Sequence, residues 1–210
     1  MCPLVGNRET GQRETGDRSE MTHPILQLVA YGELTVCWIA WAASFLQRYR
    51  NAAGQEDIAK APSAQWGILL DVVGFVCIWV HVRPAGFEKS LPELVASMLV
   101  GPPSVALSWW ATRHLGRQWR YLAALHAHHE LVQTGPYAWI RHPMYVSMFG
   151  MLLSSGAAYT WWPMLVAGVS FFMIGTEVRV EAEDRLLETY FQDEFIEYRS
   201  RVRAYIPFIR

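Results

Sequence analysis

The chain has 210 residues, 52% of them hydrophobic and ten of them Trp, with a formal net charge of -1. That balance leaves no basic footprint for nucleic acid. The three cysteines, Cys2, Cys37 and Cys77, lack metal-ligand spacing. They read as small buried hydrophobes and give no support to a disulfide scaffold.

In chain order, residues 1–22 form a low-complexity N-terminus. Gly6-Asn7-Arg8-Glu9-Thr10 is nearly repeated as Gly11-Gln12-Arg13-Glu14-Thr15. With no apolar face to bury, this stretch is expected to be disordered, and Met21 is an alternative start. Residues 23–110 read as a three-helix membrane scaffold. Ile25 to Leu46 holds one acid, Glu33. At about 1.5 Å per residue it is long enough for a hydrocarbon core of roughly 30 Å. Trp66 to Val82 is a second span and contains Asp71. Leu91 to Trp110 is a third, with Glu93 near its start and Gly101-Pro102-Pro103 in its middle. Two successive prolines predict a kink or break there, either lining a cavity or bending the helix for packing. An acid at the centre of a bilayer costs roughly 2.5–3.5 kcal/mol or more, so Glu33 and Asp71 are read either as functional or as interfacial. Interfacial placement suits Glu93.

Residues 111–210 change character. Ala111 to Leu131 mixes Arg, His and aromatic residues and reads as an interfacial segment. His126, His128 and His129 lack a paired carboxylate or Cys, so a headgroup-facing cluster is preferred over a metal site. Pro143 to Ala158 and Trp161 to Gly175 form a short apolar hairpin around Tyr159-Thr160. The second arm is too short to cross unless its helix continues. Glu177 to Tyr198 has no Gly or Pro, so a helix beginning in the bilayer is expected to run on into water. The fold class is therefore an all-α integral membrane protein of about five transmembrane helices, with a helical C-terminal extension. Placing the C-terminus inside also puts most of the 18 Lys and Arg inside, as the positive-inside rule favours.

Two constellations carry possible chemistry. Gly135 to Tyr145 packs Arg141, His142, two Pro and two Tyr where the membrane surface is expected. Pro143 suits the first position of a helix. Arg179 and Glu183 are i,i+4 and share a helix face. From the residues alone, the first group is equally a set of headgroup anchors. The second is equally an exposed ion pair worth about 0.3–0.5 kcal/mol.

The ordered motifs resemble a family. Gly135-Pro136-Tyr137, Arg141-His142-Pro143 and Tyr145 come first, followed by Arg179, Glu183, Leu187, Phe191, Tyr198 and Val202. Together they are similar to the isoprenylcysteine carboxyl methyltransferases and their prokaryotic relatives, over roughly residues 112–210. The resemblance implies a multi-pass membrane enzyme using S-adenosyl-L-methionine. Its active site and C-terminus would be cytosolic, in a bacterial inner membrane or the endoplasmic reticulum. By the same resemblance, His129, Glu130, Leu131, Val132, Tyr137, His142, Pro143, Met144, Tyr145 and Glu183 hold the cofactor. Arg179 is the catalytic residue, at the carboxylate of a lipophilic or prenylated substrate presented among membrane lipids. The chain departs from the family pattern at Ser147, commonly Gly, and at Asp184, the second of two acids. Alternatives are methyl transfer to a phospholipid amine or small thiol, a nicotinamide-dependent membrane reductase, and a non-enzymatic adaptor docking through Glu177 to Arg203. The reductase reading is weakened because Leu186 to Phe191 lacks a Cys.

Overall fold

The computed structural model describes the backbone of residues 9–52, 59–60, 64–80, 84–116, 124–125 and 130–205, and the side chains of 24–46, 64–80, 84–116 and 130–205. Among the described residues six α-helices follow in order: α1 (Glu9–Ala52), α2 (Ala64–Trp79), α3 (Leu91–Leu115), α4 (Pro143–Tyr159), α5 (Trp162–Phe191) and α6 (Asp193–Arg201). A 3-10 turn covers Gly135–Ala138, and a two-residue antiparallel ladder pairs Ala59–Lys60 with Ala124–Leu125. Helix α1 starts inside the polar stretch expected to lack structure.

Among the described residues three helical segments are, by length and composition, long and apolar enough to cross a membrane: Pro24–Leu46, Leu91–Leu115 and Trp162–Phe191. Helix α2 is a shorter apolar helix. Large side chains such as Leu28, Ile39, Trp66, Leu99 and Val166 point outward along these helices. In water this would be an unmatched apolar surface; against lipid it is the expected exterior.

Helix α3 is not broken at Gly101-Pro102-Pro103. Both prolines face outward, while Gly101 and Ser104 face inward. A methyl group added at Gly101 would lie 3.2 Å from Ser154 Oγ and 3.3 Å from Cys37 Sγ. Close packing of α1 and α4 on that face holds the helix through the two missing donors. Small polar residues line these contacts. Ser44 and Ser108 hydroxyls are 2.6 Å apart, and the Trp38 indole donates to Ser155 Oγ at 3.0 Å. Ser147 is fully buried and accepts the Trp41 indole N–H at 2.8 Å, so its hydroxyl has a partner inside the bundle. Such residues let helices approach without leaving a polar atom in lipid.

Glu93 lies at an end, as its position suggested. It accepts the Ser90 backbone N–H at 2.9 Å and pairs with Lys89 at 2.9 Å. Lys89 also donates to the Thr160 carbonyl at 2.6 Å, tying the start of α3 to the end of α4. This satisfies orphan groups at both helix ends.

Helices α2 and α5 cross through two glycine pairs seven residues apart. A methyl group at Gly74 would lie 2.8 Å from the Gly168 carbonyl oxygen. One at Gly67 would lie 2.5 Å from the Gly175 carbonyl oxygen. Backbone therefore meets backbone, and no side chain fits between. Phe172, Ile78 and Leu152 form the buried cluster beside the crossing.

Helix α5 runs past Gly175 without a break, as the helix formers after Glu177 predict, and ends at Phe191. Gln192 takes a positive φ of 49° and turns the chain into α6. The turn folds Phe195, Tyr198 and Val202 back onto Leu131, Leu187 and Phe191. We expect Gly74→Val to lower the thermal midpoint of the detergent-solubilised protein, with an overpacking cost of about 1–3 kcal/mol. Gly32→Ala, which meets nothing within 4 Å, is expected to leave that midpoint unchanged or raise it.

Candidate functional site

The first wall of the site is the turn into α4. Gly135 has a φ of 62°, a conformation that glycine adopts without strain. The 3-10 turn that follows buries Pro136 and Tyr137. His142 is the N-cap of α4 and Pro143 its first residue, where a missing N–H costs nothing. The C-terminal segment braces this loop from behind. Backbone N–H groups of Arg141 and His142 donate to the carbonyls of Arg203 and Ala204 at 2.7 and 3.0 Å. Tyr198 donates its hydroxyl to the Tyr137 carbonyl at 2.7 Å. Burial pushes the Tyr137 and Tyr198 phenols well above their ordinary pKa, so both stay protonated at neutral pH and Tyr198 remains a donor.

The second wall is the later half of α5. Asp184 is 5% exposed and holds two partners of the first wall. Its Oδ2 accepts Arg141 Nη2 at 2.9 Å, and its Oδ1 lies 2.9 Å from His142 Nε2. Arg141 Nη1 donates in turn to the Val202 carbonyl at 2.6 Å. The neighbouring acid behaves differently because consecutive helical residues point about 100° apart. The Glu183 side chain is 36% exposed. Its Oε2 accepts the Tyr145 hydroxyl at 3.2 Å and lies 3.7 Å from His142 Nδ1.

Arg179 is one turn earlier. Its guanidinium lies 4.7 Å from the centre of the Tyr145 ring, a cation-π contact. It does not pair with Glu183 as an i,i+4 bridge. Nη1 donates instead to Asp71 Oδ2 on α2 at 2.8 Å. Among the described residues this is the side-chain hydrogen bond that Arg179 makes, which leaves Nη2 and Nε without one.

The structure thus brings His142, Tyr145, Arg179 and Glu183 into one group. Tyr137 is buried behind them, and Leu131 packs on the Phe195–Tyr198–Val202 cluster. Val132 and Met144 are half-buried, Pro143 is buried and Glu130 is exposed. His129, with His126 and His128, lies outside the described residues. Among the described residues no three His, Cys, Asp or Glu side chains gather as a metal set. A separate polar cleft of about 530 Å³ lies on the other side of Asp184, between α5 and the Arg199–Ala204 segment. It touches neither Arg179 nor Glu183.

Sequence reading left two residues of this network without a role. Asp71 stood as an acid in an apolar span, and the signal was that such an acid needs a cation at its own depth. Asp184 stood only as the second of two acids.

A sequence model of the isoprenylcysteine carboxyl methyltransferase family matches residues 97–189, which include both walls. The Bacillus subtilis protein YpbQ is 30% identical over 73% of this chain and 97% of its own length. The chain belongs to the isoprenylcysteine carboxyl methyltransferase family. Two further relatives are the protein-S-isoprenylcysteine O-methyltransferases of Saccharomyces cerevisiae and Homo sapiens. They are 33% and 35% identical, each over 39% of this chain. The aligned stretches span 34% and 29% of those two relatives' lengths. Family membership and the three long apolar helices together make this an integral membrane protein.

We expect Asp184→Ala to destabilise the protein by about 3–5 kcal/mol, because Arg141 loses its carboxylate inside the protein. Arg185→Ala removes an exposed partner of Glu181 and is expected to leave the thermal midpoint nearly unchanged. Thermal unfolding of the two variants in one detergent checks the contrast.

Proposed function

We propose that this chain is an S-adenosyl-L-methionine-dependent membrane methyltransferase acting on the carboxylate of an isoprenylcysteine-type lipophilic substrate. The observation that supports it best is the convergence of Tyr145, Arg179 and Glu183 from two helices beside an apolar exterior. Names of the yeast and human relatives point the same way.

The residues fit the cofactor's chemistry. S-adenosylmethionine is a cation carrying an ammonium and ribose hydroxyls, and it needs an accessible carboxylate. Glu183 is half-exposed, and its Oε2 is oriented by Tyr145 and His142. Tyr145 and the His142 ring, 5.6 Å apart, form an aromatic surface beside it. In this reading, His129 to Val132, Tyr137 and His142 to Tyr145 hold the cofactor together with Glu183. Leu131, Tyr137 and Pro143 contribute through packing. Bound there, the cofactor supplies an electrophilic methyl group on sulfur.

A carboxylate is already ionised near neutral pH, so no general base is needed. The protein's task is alignment and exclusion of water. The Arg179 guanidinium keeps Nη2 and Nε for the acceptor carboxylate, in the geometry that favours bidentate binding. The stacked Tyr145 ring limits how far it swings. The hydrophobic part of the acceptor enters from lipid along the apolar outer faces of the helices. We further propose that all five apolar helices α1–α5 cross the membrane and that the site and C-terminus face the cytosol, as the distribution of Lys and Arg favours.

Calorimetric titration of the purified protein with S-adenosylmethionine, and methyl transfer to a prenylcysteine analogue, test the reading. Arg179→Ala is expected to lower transfer by about a hundredfold or more while cofactor affinity largely survives. Glu183→Gln is expected to weaken cofactor binding. Equal loss of both activities in Arg179→Ala would count against separate roles. Transfer to phosphatidylethanolamine or a small thiol in place of the carboxylate acceptor would reassign the substrate.

A further inference from the structure

Asp71 lies before the stretch 97–189 that the family model matches, yet it reaches the centre of the site. It is 3% exposed. Its Oδ2 accepts Arg179 Nη1 at 2.8 Å, and its Oδ1 is 3.4 Å from the Thr176 hydroxyl. The surrounding backbone is shaped for this pair in a reciprocal way. Gly67, one turn before Asp71 on α2, lies against the Arg179 side chain; a methyl group there would collide with Arg179 Cγ. Gly175, one turn before Arg179 on α5, lies against Asp71; a methyl group there would be 2.6 Å from Asp71 Oδ1. Each helix thus presents a glycine to the other helix's charged residue. Two Gly-x-x-x-charged segments, antiparallel, close on one ion pair.

We infer that Asp71 is a positioning residue. Clasped between α2 and α5, it fixes the direction in which Arg179 presents its two remaining nitrogen donors to the acceptor. This rests on reading Arg179 as the acceptor-binding residue.

Three features favour positioning over a merely structural ion pair. Asp71 holds only Nη1, so the rest of the guanidinium stays available while its plane is set. Tyr145 lies across the guanidinium at 4.7 Å, so the Arg179 head is restrained on two sides. The same Tyr145 donates to Glu183, so the Arg179 head is held next to the cofactor wall. A guanidinium free to rotate would misplace the acceptor carboxylate relative to the methyl group, and displacement of about 1 Å can cost a hundredfold in rate. The negative charge of Asp71 also offsets Arg179 when no acceptor is present, so the empty site does not hold an unpaired buried cation.

A double-mutant cycle on the full chain in detergent tests this. The four proteins are wild type, Asp71→Asn, Arg179→Ala and the double variant. Each is assayed for kcat/KM with a prenylcysteine analogue, for cofactor affinity by calorimetry, and for thermal midpoint. Asp71→Asn is expected to lower kcat/KM by about tenfold or more while cofactor affinity changes by less than about twofold. In the Arg179→Ala background the same substitution is expected to change kcat/KM by less than about twofold, because Asp71 acts only through Arg179. Thr176→Val keeps the packing shape and removes one hydrogen bond to Asp71. It is expected to lower kcat/KM by about threefold, again only when Arg179 is present, and it keeps the test available if Asp71→Asn misfolds. Additive losses in the double variant, or a parallel loss of cofactor affinity, overturn the positioning role. So does wild-type kcat/KM in Asp71→Asn. If Arg179→Ala retains full transfer, the acceptor-binding role of Arg179 fails first. If the wild-type chain binds no cofactor, the methyltransferase reading itself is overturned, and the role given to Asp71 with it.

Discussion

A guanidinium and a carboxylate taken out of water are far more stable together than apart. The Asp71–Arg179 pair imposes that condition on α2 and α5. Unpaired, either charge costs several kcal/mol in a low-dielectric interior. Paired at 2.8 Å, they set the depth and rotation at which the two helices cross. The glycines at 67, 74, 168 and 175 make that crossing short enough, with a hypothetical methyl at each meeting the facing backbone. Since lipid supplies no hydrophobic drive between helices, close packing and polar contacts have to hold them together. From that crossing α5 continues to Phe191, bringing Glu183 and Asp184 to the turn that begins α4.

Asp184 is the second fixed point. It joins three pieces of chain that are distant in sequence: the Arg141-His142 loop, α5 and, through Arg141, the carbonyls near Val202. The site therefore has two layers. Behind is an ionic and hydrogen-bonded layer in which Asp184, both Arg141 Nη atoms and the Tyr198 hydroxyl bond to one another or to nearby backbone. In front are Glu183, Tyr145 and Arg179, which retain polar capacity toward a ligand. His142 belongs to both layers, with Nε2 near Asp184 and Nδ1 toward Glu183. Adjacent acids thus divide their work by the geometry of the helix alone.

Much of the scaffold was legible in the hydropathy. The apolar runs near Ile25–Leu46, Leu91–Trp110 and Trp161–Gly175 correspond to the three helices long enough to cross a membrane. The absence of Gly and Pro after Glu177 foretold the extension of α5, though not its end, since Gln192 breaks the helix in a conformation that few sequence cues announce. The Gly101-Pro102-Pro103 triplet suggested a kink or break, and the helix runs through it. The break does not occur: packing of α1 and α4 on the glycine side keeps the helix continuous. Arg179 and Glu183 looked like an i,i+4 pair because spacing reports only which residues share a face. Each in fact turns to a different helix.

The sequence by itself determined the apolar helical character, the presence of the Gly135–Tyr145 motif, and the order in which Arg179, Glu183 and Asp184 follow it. These depend on composition and on spacing along the chain, which need no partner. Only the tertiary structure decided that Asp71 belongs to Arg179, that Asp184 rather than Glu183 holds Arg141, and that Ser147 receives the Trp41 indole. Each is a contact between segments far apart in sequence. Its formation depends on helix rotation and crossing distance, which are set jointly by all the side chains at the interface.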